Sequence, residues 1–135
     1  MPFVAIYYHS VWSTKGRADW LTATIERDAI TAIREKSAEL ACPVYAINGA
    51  LNHMHIAVRI QPKIAVATWV QQVKGLSARR VNELNPDLDE HSRWQHSYRV
   101  HTFGTKALPF VVAYIENQKE HHALGTTEDY LERLD

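Results

Sequence analysis

Asn52-His53-Met54-His55-Ile56-Ala57-Val58-Arg59-Ile60 is an alternating, largely apolar run, and this period of two predicts a β-strand. Side chains two apart on a strand point the same way, so His53 and His55 share one face. Two imidazoles on one strand face can hold a divalent metal ion, and burying them without a partner for each ring nitrogen is costly. The residues alone also accommodate a plainer arrangement, with His53 in a loop and His55 a hydrogen-bonded sheet histidine.

Upstream of this strand, Val44 to Ile47 predicts another strand, joined to it through an Asn48-Gly49 turn region. Thr22 to Leu40 places Ile25, Ala29, Ile33 and Leu40 among charges at helical spacing, and Pro43 ends that helix. Phe3 to Trp12, rich in β-branched and aromatic residues, predicts the first strand. Downstream, Ile64 to Leu84 is a helix stopped by Pro86, with Val66, Trp69, Val70 and Val73 as its core stripe. Arg99 to Phe103 predicts the last strand. The resulting βαββαβ order is the α+β ferredoxin-like split βαβ arrangement, an antiparallel sheet with helices packed on one face.

The last long segment, Pro109 to Glu120, predicts a helix with Pro109 in its first turn and Gly125 just past its end. Tyr114 and Gln118 are four apart and so lie on one helix face, a phenol beside an amide oxygen. That pairs a candidate nucleophile with a candidate metal ligand. On its own, Tyr114 also suits a core-facing aromatic of an amphipathic helix.

At 135 residues and 15.5 kDa the chain has the size of one domain, 1–135, with Thr126 to Asp135 a terminal helix or tail. No stretch approaches the roughly 18 apolar residues of a membrane span, and the start lacks a leader pattern, so a cytoplasmic protein with no membrane partner is expected. The lone Cys42 has no internal disulfide partner and no activating neighbours. Net charge is +0 with a pI near 7.1, unusual for a protein that grips a polyanion. The charges are unevenly distributed, however. Arg59, Lys63, Lys74, Arg79, Arg80, Arg93, Arg99 and Lys106 outnumber the acids of the middle, while Glu120, Glu128, Asp129, Glu132 and Asp135 dominate the end.

Four ordered segments together resemble the single-tyrosine transposases of the HUH endonuclease superfamily. They are Tyr8-His9-Ser10-Val11-Trp12-Ser13-Thr14-Lys15-Gly16-Arg17, His53-Met54-His55, Val73-Lys74-Gly75-Leu76-Ser77-Ala78-Arg79-Arg80 and Tyr114-Ile115-Glu116-Asn117-Gln118. The resemblance implies a ferredoxin-like core and DNA cleavage and rejoining by Tyr114 as nucleophile, through a 5′-phosphotyrosine. It implies a divalent metal, Mg or Mn, held by His53, His55 and Gln118. Zinc is less suited, since no cysteine or carboxylate supplies an obvious further ligand.

The implied substrate is single-stranded DNA beside a hairpin. Lys15, Arg17, Lys74, Arg79 and Arg80 are the candidates for phosphate contacts, and Trp12, Trp20 and Trp94 for base stacking. Insertion-sequence members of the family work as homodimers, and repeat-associated relatives can be monomers. Gly49-Ala50-Leu51 departs from the family's usual hydrophobic-Met-Pro lead into the histidine strand. A noncatalytic nucleic-acid-binding module on the same fold is the alternative. It would bind without turnover.

Overall fold

Strand and helix alternate along the chain as β1 (Tyr7–Ser13), α1 (Ala23–Glu39), β2 (Val44–Ala50), β3 (His53–Val58), α2 (Val66–Leu84), β4 (Arg99–Phe103), α3 (Leu108–Glu116) and α4 (Gln118–Leu124). These elements come from a computed structural model that describes residues 3–88 and 93–124. The expected Gly125 stop and the 126–135 tail lie outside the described residues.

All strand pairs are antiparallel, and the sheet order is β2-β3-β1-β4. This is the split βαβ arrangement in an α+β fold, as the order of sequence patterns predicts. The two inner strands bury every residue of β3 and all but one of β1. Alternation then separates two surfaces. Trp12, Met54, Ile56 and Val58 pack with Ile25, Ala29 and Ile33 of α1 and with Trp69, Val70 and Val73 of α2. The opposite face carries His53, His55 and Ala57, and there Ala46 and Ala57 pack against Val111 and Ile115 of α3. The expected core helices α1 and α2 thus share one face, and α3, which carries Tyr114, lies on the other.

The first strand begins at Tyr7 rather than at Phe3, which is exposed, and two further boundaries differ from expectation for identifiable reasons. The connection between β2 and β3 is Leu51-Asn52, and Asn48 and Gly49 belong to β2, where Gly49 pairs with Met54. Gly49 serves close approach there: a Cβ at this position would stand 2.4 Å from the His53 carbonyl oxygen. The final helix is also divided, with Asn117 at φ −99° and ψ 22° between α3 and α4. The Asn117 side chain donates to the Ala113 carbonyl at 2.8 Å, competing with continued helix.

Candidate active site

The strand register assembles the site. His55 sits opposite Asn48 on one side and Val11 on the other, and His53 opposite Ala50 and Ser13. One row further along the same face, His9 lies between Ala57 and His101. The His53 and His55 ring centroids are 5.2 Å apart, and His9 stacks on His55 at 5.1 Å. His101 meets His9 edge-on at 4.9 Å, and burial, then the Arg99 guanidinium, push its pKa below the ordinary histidine value.

Neighbouring hydrogen bonds decide which ring nitrogens are available. His53 Nδ1 lies 2.8 Å from Asn52 Oδ1, an acceptor only, so Nδ1–H donates and Nε2 keeps its lone pair. His55 Nδ1 lies 2.8 Å from His9 Nε2, and when His55 Nδ1–H is the donor there its Nε2 carries the lone pair. Metal-binding histidines are oriented in this way by an outer partner.

α3 and α4 supply the rest. Tyr114 is buried with its ring 6.1 Å from that of His55, and Phe110, one turn earlier and exposed, lies 6.5 Å from Tyr114. His122 of α4 lies edge-on to His53 at 4.8 Å. Gln118 is four residues before His122 and so shares its helix face, and it is fully buried. Tyr114 therefore stands at the His55 end of the pair, and His122, one turn after Gln118 on the same helix, at the His53 end.

Among the described residues no group of three His, Cys, Asp or Glu side chains is arranged to hold a metal. The Gln118 amide oxygen is a donor of another type, on the helix that also carries His122. Two imidazole nitrogens and a neutral oxygen are a donor set suited to a divalent ion of the manganese or magnesium kind.

The cationic candidates divide. Lys15 and Arg17 are exposed in a 3₁₀ turn directly after β1, whose Ser13 pairs with His53. Gly16 at φ 64° and Arg17 at φ 55° both adopt left-handed backbone there, which for Arg17 costs strain. Lys74 instead directs its ammonium at the carbonyls of Gln95, His96 and Ser97. Arg80 pairs with Glu35 of α1 at 3.1 Å, and Arg79 pairs loosely with Glu83 at 3.7 Å. All three stand on α2, which packs on the face away from the histidines.

Trp12 and Trp94 are buried in the α1–α2 core rather than offered to bases, while Trp20 is half-buried against Trp94 at 5.1 Å. A histidine near a helix C-terminus is ordinarily accounted for by the helix dipole, and the approach of His122 to His53 emerges only in the structure. Its position four residues after Gln118 was the available signal. No helix among the described residues is long and apolar enough to cross a membrane.

The chain is 26% identical over 117 residues to the ISDra2 transposase TnpA of Deinococcus radiodurans, covering 84% of each. It superposes on the crystal structure of a Deinococcus radiodurans R1 protein described as a transposase with a TM-score of 0.71 at 25% identity, covering 87% of this chain and 95% of that one. A REP-associated tyrosine transposase bound to a REP hairpin shares the fold, with a TM-score of 0.64 at 17% identity over 90% of this chain and 72% of that one. Residues 3–118 match the family described as transposase, IS200-like. The chain belongs to the IS200-like transposase family.

Proposed function

We propose that this transposase cleaves and rejoins single-stranded DNA next to a hairpin, using Tyr114 as nucleophile and a divalent cation held by His53, His55 and Gln118. The observation that carries the reading is the convergence of a buried tyrosine, 6.1 Å from the His55 ring, with two same-face histidines 5.2 Å apart whose Nδ1 atoms are each engaged by a neighbour. The hairpin substrate is carried over from the family and from the hairpin bound to the REP-associated neighbour.

When bound, magnesium or manganese would withdraw charge from a non-bridging phosphate oxygen and orient the phosphodiester. The chain's own groups do the remainder. Tyr114 Oη attacks phosphorus as the phenolate, its proton passing to solvent, and the bond from phosphorus to the 3′ oxygen breaks. The DNA is left as a 5′-phosphotyrosine, and the departing 3′ oxygen takes up a proton as a hydroxyl. Because the link conserves the phosphodiester energy, attack by another 3′-hydroxyl reverses the step and joins new strands. Asn52 and His9 engage the Nδ1 atoms of the two imidazoles and so hold the rings in place.

The test uses manganese and labelled single-stranded DNA spanning a hairpin from the flank of the gene. Wild type is expected to give a denaturation-resistant protein–DNA adduct, and Tyr114→Phe none, a loss of at least about a thousandfold for removing the nucleophile. Binding by both proteins with no adduct from either would replace the enzyme with a noncatalytic nucleic-acid-binding module.

A further inference from the structure

Glu26 stands in the first turn of α1 with its side chain only 10% exposed, a depth at which a carboxylate requires a partner. That partner comes from the far end of the chain. Lys119 Nζ donates to Glu26 Oε1 at 2.8 Å and to Oε2 at 3.0 Å. The same ammonium donates to Asn48 Oδ1 at 2.6 Å and to the Gly49 carbonyl at 3.3 Å. Asn48 Nδ2 in turn donates to the Glu116 carbonyl at 3.1 Å, where α3 ends.

The placement of these groups gives them a role beyond an ordinary ion pair. β2 is an edge strand, with α1 packed on one face of the sheet and α3 on the other. Lys119, the second residue of α4, therefore reaches round the sheet edge at Asn48 and Gly49 to join the two sides. The break at Asn117 means that α4 does not inherit its direction from α3 through a continuous helix. Its heading depends on what grips its first turn, and Gln118 is the adjacent residue.

We infer that Glu26, Asn48 and Lys119 are positioning residues that set the heading of α4, and through it the placement of Gln118 and His122 against His53. The consequence for metal binding rests on the proposed function. The consequence for α4 itself does not.

Lys119→Met alone would strand a buried carboxylate and risks misfolding, so the informative protein is the double variant Glu26→Gln/Lys119→Met, which removes both charges together. In the metal-free protein, amide hydrogen exchange across α4 is expected to accelerate at least about tenfold while α2 keeps its protection. Manganese affinity, read as free ion by electron paramagnetic resonance, is expected to fall about ten- to a hundredfold. Lys119→Arg, which preserves the charge and can fork onto the carboxylate, restores both readouts. Unchanged protection of α4 in the double variant would overturn the inference, as would lost protection with undiminished manganese affinity. Should wild type bind no manganese while α4 loosens as expected, the metal reading falls and the positioning role stands.

Discussion

Lys74 leaves α2 with its ammonium 5.8 Å from the Trp12 ring centroid and turned toward three successive carbonyls, those of Gln95, His96 and Ser97. Burial pushes its pKa down from 10.5 to about 8, so a side chain that reads as a surface cation is a half-buried clamp on the segment leading into β4. A lysine whose folded pKa lies below its unfolded value binds fewer protons when folded. Between about pH 8 and 10.5 its contribution to stability therefore rises with pH, and below about pH 8 it is constant at its least favourable. The Lys74 side-chain resonance is expected to titrate near 8, and the wild type should gain stability relative to Lys74→Met across that window. A resonance titrating near 10.5 would show that the carbonyls compensate burial fully. At the His9–His55 contact the lone pair falls on His55 Nε2 in the tautomer whose Nδ1–H donates to His9.

Element boundaries carry the next layer of control, and the β2–β3 hairpin shows it best. Gly49 faces the Met54 Cα at 3.4 Å and the His53 carbonyl oxygen at 2.4 Å from where a Cβ would sit. Gly49→Ala must push β2 away from the strand that carries both histidines, at a cost of about 1–3 kcal/mol. Urea denaturation measures this, and an unchanged midpoint would mean that the hairpin yields without strain. Gly49 invites assignment to a turn because Asn-Gly is a turn signal, whereas the close approach depends on the partner strand. The strands and the two core helices were legible because His53-Met54-His55 and the Trp69, Val70, Val73 stripe keep their periods under burial. Tyr114 and Gln118 were legible as a pair, but the break between them was not, since a four-residue spacing suits an unbroken helix and Asn117 marks its end only through the Ala113 carbonyl. The Glu26–Lys119 pair left no local trace at all, because its members meet across the sheet edge from positions 93 apart.

The whole chain has a formal charge of +0, so it presents no broad field to draw in a polyanion, and capture of DNA must depend on where its cations are free to act. Tertiary structure has already drawn on several of them: Lys74 by carbonyls, Arg80 by Glu35 and Lys119 by Glu26. Lys15 and Arg17 are exposed beside the His53 end of the sheet, on a turn whose left-handed backbone turns the chain sharply away from β1. Each phosphate neutralised on a single strand steepens the dependence of log affinity on log salt by about 0.7. Lys15→Ala and Arg17→Ala are therefore each expected to weaken single-stranded DNA binding and flatten that slope by about 0.7 to 1. Arg80→Ala, which removes a guanidinium already paired at 3.1 Å, should leave the slope unchanged and alter stability little. Fluorescence anisotropy across a salt series separates the two cases. A flattened slope for Arg80→Ala with none for Lys15→Ala or Arg17→Ala would move the DNA path to the α2 side of the sheet, away from Tyr114, and would sink this assignment of the binding surface.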